Sequence, residues 1–525
     1  MNWRHYLILF LVGLLVPLGI SRFQAMPGYM DADYYFVGGI QLAEGKGFTE
    51  PYLWNYLDNP TGLPHPSHTY WMPLASIVSA IGMWITGQST YAAGRASFIL
   101  LSAFVPLLTA ALAYSVSRRT LLAMVSGLLS IFSLYYTAFM PVPDNYALYM
   151  LFGAGFLLLA PRREKWIPLA LGALAGLLTL ARSDGLLWLG LAGLTVMWKA
   201  AERENGSRPA FGAWFKRILP AGLIVLAGYF LIMGGWHLRN ENLFGSFMTP
   251  GGGRLLWLEN YNQTFAYPPD TLTKEGFLQA GWHAALQDRL AALSANAGNT
   301  FAAQGGIFLF PFILIGLWLL RHDLRTKIAV TGWLILFFVM TAIFPFAGSR
   351  GSFFHAGAAF QPYWYVAAPL GLDAVVNWAR SRGKFTDRNA PVFFQAILIL
   401  LAVLMTAYLV NYRVIASGWA RDDMIYPKVE QKLLASGIGT QDIVIVRNPP
   451  GYFLASRRES ISLPFGDEST ILAVAKRFGA RYLILERDGT FDSIKDLYDQ
   501  PESNPSFTYL GEVDGARLYR IKTAD

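Results

Sequence analysis

Residues 3–39 read WRHYLILFLVGLLVPLGISRFQAMPGYMDADYYFVGG, an apolar run followed directly by an acidic segment. The run at 5–21 is long enough to cross a bilayer core, which takes roughly 20 apolar residues. It has no small-residue cleavage site and more apolar runs follow it, so we expect it to remain as a membrane anchor. Two carboxylates, Asp31 and Asp33, then stand at the edge of the membrane.

The composition of the 525-residue chain is that of a polytopic membrane protein. Apolar residues make up 54% of the chain, aromatic residues 15% and charged residues 14%, which is more apolar than a soluble core requires. The net charge is +8, but the basic residues form short clusters between apolar runs, which argues against nucleic acid as a partner. Cysteine is absent, so disulfides, thiolate metal sites and a cysteine nucleophile are excluded.

We predict a helical membrane fold with about eleven transmembrane helices of the length that a bilayer requires. They are expected near residues 5–21, 91–117, 120–139, 144–160, 166–182, 185–200, 218–236, 306–320, 327–345, 361–379 and 391–412.

Basic clusters set the predicted orientation of these helices. Besides Arg4, they lie at 117–119, 161–165, 199–217, 321–327 and 379–388. Because Lys and Arg collect in cytoplasmic loops, this side and the N-terminus are expected in the cytoplasm. The long segments 22–90, 237–305 and 346–360, the short turn at 140–143 and everything after about residue 413 are then outside, and so are Asp31 and Asp33.

Two domains are predicted on this basis, with a boundary after Tyr412. Residues 1–412 form the transmembrane domain with its outer loops, and residues 413–525 form a small soluble α/β domain outside the membrane. In the second domain, strands are expected at 441–448, 481–486, 507–513 and 516–522, and helices at 423–436 and 468–478.

The DAD segment permits two interpretations. On an extended backbone, carboxylates at i and i+2 share a face, which is the DxD arrangement that holds a divalent cation in glycosyltransferases that use nucleotide sugars. An outer loop does not meet cytosolic nucleotide sugars, which argues against that use. The alternative is that Asp31 caps the helix that follows, with Gly45 or Gly47 ending it.

The first outer loop resembles that of a known family. Residues 31–48, DADYYFVGGIQLAEGKGF, and 65–74, HPSHTYWMPL, are similar to the acidic motif, Gly-rich LxxGxG and HPPL-like turn of the C-type (GT-C) glycosyltransferases. This superfamily includes the protein mannosyltransferases, the aminoarabinose transferases and the RgtA-like sugar transferases. The resemblance continues through residues 94–119, 143–160 and 173–189.

The resemblance implies roles for three acids. Asp31 matches the family's general base, which deprotonates the acceptor. Ala32 stands where many members have a second acid, and Asp33 supplies one a place later, in support of Asp31. Asp144 matches a second acidic position, which assists a metal or the acceptor in relatives. As an alternative, Asp144 caps the helix that follows it.

The donor phosphate has three candidate ligands. Arg182 matches a basic residue near the lipid phosphate in relatives, and its alternative role is an interfacial ion pair with Asp184. Arg350 and His355 lie in a small-residue outer segment where backbone amides can approach a phosphate. A guanidinium suits phosphate because its planar fork binds two oxygens at once.

Other polar residues are weaker candidates. His65 and His68 contact the substrate, its sugar hydroxyls included, or, with Asp31 or Asp144, hold a divalent metal. Arg239 and Arg254 border a Gly-rich segment, residues 236–254, that is either a closing loop or interfacial packing.

The function expected from the resemblance is that of an inverting glycosyltransferase. It moves a hexose or pentose from a polyprenyl-phosphate donor to a hydroxyl of a glycan, lipid or protein, on the outer face of the cytoplasmic membrane. A lipid or sugar transporter or flippase is the alternative, and a receptor that uses the C-terminal domain is a third class.

Arg457 and Arg458, beside the turn NPPGYF, are expected on a solvated face of the C-terminal domain.

Overall fold

The computed structural model of the protein describes residues 1–202, 209–384, 387–421 and 423–522. Most of the loop at 203–210, in the predicted basic segment 199–217, lies outside the described residues. The described chain divides into two compact units, one of Met1–Phe23, Arg95–Phe247 and Asp288–Ser417, the other of Gln24–Gly94, Met248–Gln287 and Gly418–Asp525. The assignment of residues 1–412 and 413–525 to separate domains stays a prediction.

The first unit is helical. Its α-helices are Trp3–Ser21, most of Tyr91–Ser117, Thr120–Ile131, Tyr146–Leu159, Ile167–Ala181, Leu186–Ala200, Phe211–Phe244, most of Trp282–Asn299, Phe310–Leu319, Leu324–Phe338, Pro345–Ala347, Phe353–Gly357, Gln361–Ser381 and Ala390–Val410. Short π-helical turns extend or link four of these helices, at Thr300–Gln304, Val339–Ile343, Gly348–Ser352 and Asn411–Ala416.

Each predicted transmembrane segment overlaps a helix of this unit, but the helix predicted at 120–139 ends at Ile131 and is followed by the 3-10 helix Leu134–Phe139. Five helices among the described residues are long and apolar enough to cross a membrane: Trp3–Ser21, Tyr91–Ser117, Phe211–Phe244, Leu324–Ile343 and Ala390–Ala416. Others, such as Tyr146–Leu159 and Ile167–Ala181, are apolar but shorter. The protein is therefore a helical membrane protein, and the count of about eleven spans stays a prediction.

Small residues let two helices of this unit approach each other closely. At Gly172, a Cβ atom would stand 1.9 Å from the carbonyl oxygen of Val225, and at Gly228 one would stand 2.1 Å from that of Leu169. Any larger side chain would therefore push the helices Ile167–Ala181 and Phe211–Phe244 apart. Close backbone contact through glycine is a common way to join helices in membranes, where no hydrophobic effect drives association.

The second unit is built around a mixed β-sheet. Its eight strands are β1 Thr49–Glu50, β2 Tyr52–Leu53, β3 His65–Pro66, β4 Ile443–Val446, β5 Ser460–Ser462, β6 Ala480–Glu486, β7 Phe507–Val513 and β8 Ala516–Ile521. Strands β1 and β3 form an antiparallel pair. The other six form one sheet in the order β2-β5-β4-β6-β8-β7, parallel up to β6 and antiparallel beyond it.

Helices cover both faces of the six-stranded sheet. The helices of this unit are Met30–Ala43, Leu74–Thr86, Lys274–Gln279, Tyr426–Ala435, Pro449–Ser456, Glu468–Phe478 and Lys495–Asp499. Ile445 packs on the side of the helix Glu468–Phe478, and Val444 and Val446 on the side of Tyr426–Ala435. Because both faces are buried, β4 is apolar at every position rather than alternating.

The strands and helices predicted for the C-terminal part are confirmed, with two differences. Strand β2 comes from the segment 22–90, not from the C-terminal part, and adds to the edge of the sheet beside β5. The expectation that Arg458 lies on a solvated face is wrong, because its side chain is buried and donates from Nη2 to the Glu430 carboxylate at 2.7 Å. A guanidinium needs such a partner to be buried.

Candidate functional site

Asp31 lies in the first turn of the helix Met30–Ala43, and it is partly exposed. The residue that caps this helix is Tyr29, with no side-chain capping bond, so the capping role considered for Asp31 is wrong. A carboxylate in the first turn is still favoured by the helix dipole. The helix ends near Gly45, whose φ of +76° requires the left-handed region, as the sequence predicted.

The two acids of the DAD segment point in different directions. Residues i and i+2 of an α-helix are about 200° apart around its axis, so they share no face. The extended backbone assumed for a DxD metal site is therefore wrong here. Asp33 lies on the buried side, with 1% of its surface exposed.

Asp33 belongs to a buried polar group of the second unit. The side-chain amide of Asn448 donates to Asp33 Oδ2 at 2.9 Å and to Asp423 Oδ1 at 3.0 Å. Burial raises the pKa of the Asp33 carboxyl well above its usual range, and the nearby Asp423 carboxyl raises it further. This arrangement holds the helix Met30–Ala43 to the turn after β4, which is a structural task.

Asp144 lies in the first unit, two residues before the helix Tyr146–Leu159, and is 1% exposed. The cap residue of that helix is Asn145, so the capping role considered for Asp144 is wrong. Asp144 Oδ1 accepts a hydrogen bond from the Asn145 amide at 2.6 Å, and it lies 3.7 Å from His355 Nδ1. The fold thus brings two predicted site residues, 211 positions apart in sequence, into contact range.

His355 is held between Asp144 and Tyr146. Its Nε2 lies 2.6 Å from the hydroxyl of Tyr146, and the two rings are 4.3 Å apart. Burial lowers the pKa of His355 well below its usual value, and the positive charge of Arg182 lowers it further. At neutral pH the imidazole is therefore uncharged, and it acts as a hydrogen-bonding group rather than as a cation.

Arg182 is the cation of this cluster. It pairs with Asp184 through Nε and Nη2 at 3.0 and 2.8 Å, as its alternative role predicted, and only 11% of its side chain is exposed. The Tyr149 hydroxyl donates to the other Asp184 oxygen at 2.6 Å. This ion pair fixes the guanidinium near His355, while Arg350, five residues before His355, is exposed on a π-helical turn.

His65 and His68 have separate partners. His65 Nε2 lies 2.7 Å from Asp58 Oδ2, and His68 has its ring nitrogens 2.7 and 2.9 Å from the hydroxyls of Ser67 and Ser76. In the part of the chain that the structure describes, no group of three His, Asp or Glu side chains is arranged to hold a metal ion.

The two arginines of the Gly-rich segment also have local partners. Arg239 lies on the helix Phe211–Phe244, 4.4 Å from the ring centre of Trp236. Arg254 donates to the carbonyl oxygen of Leu57, and to Asp270 at 2.6 Å. The first half of the segment is thus a helix rather than a loop.

Sequence reasoning missed three participants. No sequence motif marks Asp423, because only the tertiary fold brings it close to Asp33. Asn448 was quoted as part of the NPP turn, and Asn before Pro is itself a helix-start signal that would have singled it out. Tyr146 follows Asp144 within the same turn and was treated as part of a span.

Comparison with known proteins bears on the fold. No protein-family model and no curated protein sequence matches the chain. ArnT from Cupriavidus metallidurans, in a crystal structure with undecaprenyl phosphate, is similar with a TM-score of 0.55 at 12% identity, over 99% of this chain and 98% of that one. ArnT is a GT-C glycosyltransferase. This chain has the GT-C fold.

The oligosaccharyltransferase AglB from Archaeoglobus fulgidus has the GT-C fold too. Its complex with a tethered acceptor peptide matches with a TM-score of 0.55 at 13% identity, over 92% of this chain and 69% of that one. Its complex with Zn and sulfate matches equally well, over 97% and 72%. The predicted GT-C fold is confirmed, and at these identities the likeness concerns the fold alone.

Proposed function

We propose that this GT-C chain is an inverting glycosyltransferase that takes its sugar from a polyprenyl-phosphate donor. The observation that carries the proposal is the match of almost the whole chain to ArnT, whose structure holds undecaprenyl phosphate. The acceptor is a hydroxyl group on a glycan, lipid or protein. The reaction takes place on the outer face of the cytoplasmic membrane, with the N-terminus in the cytoplasm.

The reaction requires one base and one or two groups that bind phosphate. The acceptor oxygen attacks the anomeric carbon from the face opposite the phosphate, so the new C–O bond forms as the bond to phosphate breaks. The electron pair of the broken bond leaves with the polyprenyl phosphate, and the acceptor proton passes to a carboxylate. A single displacement inverts the anomeric carbon.

Asp31 is the proposed base. It is partly exposed, unlike Asp33, and it does not serve as the helix cap. Its position in the first helical turn favours the ionised form that a base requires. Asp33 then supports Asp31 by holding the helix in place.

Arg182, Arg350 and His355 are the proposed ligands of the donor phosphate. The ion pair with Asp184 fixes the Arg182 guanidinium before a ligand arrives, which reduces the entropy cost of binding. Nε2 of His355 accepts from the Tyr146 hydroxyl, so the single N–H of the neutral imidazole is on Nδ1, on the side of Asp144, and from there it is offered to a phosphate oxygen. His65 and His68 are proposed to support the first outer loop.

Reconstitution in sealed vesicles tests the proposal. The purified chain is mixed with a panel of undecaprenyl-phosphate-linked hexoses and pentoses, with a cell-envelope extract as acceptor, and released undecaprenyl phosphate is measured. We expect release with at least one donor and inversion at the anomeric carbon of the product. Movement of the intact donor between leaflets, with no bond cleaved, would instead identify a flippase and overturn the proposal.

A further inference from the structure

The second unit contains an open cavity of about 750 Å³ that the proposed chemistry does not use. Its residues come from the amino ends of three neighbouring parallel strands: Pro51 precedes β2, Gln441 precedes β4, and Glu459 precedes β5. The buried group of Asp33 and Asn448 lies instead after the carboxyl end of β4, so the two features are separate. The volume suits a ligand of one to a few rings.

A buried polar side chain faces this cavity. Gln41 is 3% exposed, and its side chain lines the wall of the cavity. A side-chain amide in this position offers an acceptor and two donors to a ligand in the cavity. Glu44, one helical turn further on, lines the same wall and pairs with Lys46 at 2.7 Å.

The rest of the lining combines polar side chains with the apolar groups of Pro51, Pro64 and Phe453. Gln441 and Thr440 add an amide and a hydroxyl, and Glu459 adds a carboxylate. Arg457 lies 5.7 Å from the ring centre of Phe453. Acids and bases are balanced, since Glu44 and Glu459 oppose Lys46 and Arg457, so the cavity favours a neutral ligand over an ion.

We propose that this cavity is a saccharide-binding site. Neighbouring hydroxyls of a sugar ring act as donor and acceptor together, which matches side-chain amides, which both donate and accept, and carboxylates, which accept. The C–H face of the ring packs on apolar atoms such as those of Phe453 and Pro51. The proposal that the cavity binds a saccharide depends on its lining alone. The further proposal that this saccharide is the sugar part of the acceptor rests on the proposed glycosyl transfer.

Saturation-transfer NMR on the full chain tests this site. The protein is held in nanodiscs, since maltoside detergents carry sugars of their own, and is mixed with glucose, galactose, mannose, N-acetylglucosamine and their β-linked disaccharides. We expect at least one of these probes to bind. Gln41→Leu and Gln441→Ala should each weaken binding about three- to tenfold, the loss of one hydrogen bond. Gln431→Ala, exposed and away from the cavity, is the matched control.

The two proposals fail in different ways. Asp31→Asn should lower transfer about 10²- to 10⁴-fold and leave saccharide binding unchanged. If the parent chain binds a saccharide but transfers no sugar, only the proposed function is overturned. The saccharide site is overturned if none of the probes binds, or if binding survives in both cavity variants while each keeps the parental melting temperature.

Discussion

Asp31 and Asp33 lie in different environments although only one residue separates them. Helical geometry turns the first toward solvent and the second into the interior of the second unit, where Asn448 binds it. Single substitutions at these positions therefore separate catalysis from stability.

Asp31→Asn should leave the protein folded and lower the transfer rate about 10²- to 10⁴-fold, because the amide keeps the shape but cannot take a proton. Melting temperature and turnover are measured on the same preparation. Asp488→Asn, at an exposed acid of the same unit that does not line the cavity, is the control and should keep the parental rate. Near-parental turnover by a folded Asp31→Asn protein would move the base to Asp144 or Asp33.

Asp33→Asn should change how stability depends on pH. Burial and Asp423 raise the folded pKa of Asp33 above its ordinary value of about 3.9, so its stabilising contribution is complete below that value and is lost as pH rises through the folded pKa. An amide at position 33 can still accept from Asn448 and can donate to Asp423. We therefore expect Asp33→Asn to match the parent at low pH and to exceed it by about 1–3 kcal/mol at neutral pH.

Thermal unfolding from pH 4 to 8 measures this difference. Asp492→Asn, an exposed acid of the same unit, is the control and should run parallel to the parent. Parallel curves for Asp33→Asn as well would mean that Asp33 is ionised at little cost in the folded protein.

Arg182→Ala should weaken use of the lipid-linked donor by about 10²-fold or more, since a fixed cation is lost from a water-poor site. Arg182→Lys should retain part of the activity, because the charge stays while the two-pronged geometry is lost. The pKa of His355 should also rise without the nearby guanidinium, which moves the acidic limb of the pH–rate profile upward.

Rates over a range of donor concentrations and pH values test these changes. Arg162→Ala, an exposed arginine of the same unit, is the control. If Arg182→Ala keeps the parental donor dependence and pH profile, the phosphate is bound by other groups, and Arg350 is the next to be tested.

At the scale of elements, the first unit depends on how closely its helices approach. The helices Ile167–Ala181 and Phe211–Phe244 meet at Gly172 and Gly228, where backbone atoms fill the space that a side chain would need. Asp184, the partner of Arg182, lies three residues after the end of the first of these helices.

Gly228→Val should destabilise the protein by about 1–3 kcal/mol, because the added methyl groups meet the backbone of Leu169 and Ala173. Gly235→Val, on the same helix but with no atom within 4 Å of the added Cβ, should have a much smaller effect. Thermal unfolding in one detergent compares the two. Equal loss in both variants would attribute the effect to valine in the helix rather than to the crossing.

At the scale of the molecule, the absence of cysteine makes orientation easy to test. Ser503→Cys and Glu164→Cys each introduce the sole thiol of the chain, at exposed positions of the second and first units. We expect an impermeant maleimide to label Ser503→Cys in intact cells and to label Glu164→Cys only after lysis. The opposite pattern would reverse the orientation and expose the first loop to nucleotide sugars.

The sequence by itself determined the class of the protein and many of its elements. Long apolar runs fix helices in a membrane because backbone groups find no other partner in lipid, and alternating or continuous apolar runs after Tyr412 gave the longer strands correctly. Asp144, Arg182 and His355 were identified by the family resemblance and by their position in outer segments.

Only the tertiary structure decided which of these residues meet. The contacts of His355 with Asp144 and of Asp33 with Asn448 join positions hundreds of residues apart, and no local periodicity encodes such a pairing. Strand β2 has two residues, too few for a pattern, and it becomes a strand only because β5 offers it an edge. The exposure of Asp31 and the burial of Asp33 depend likewise on where the helix begins and on what packs against it.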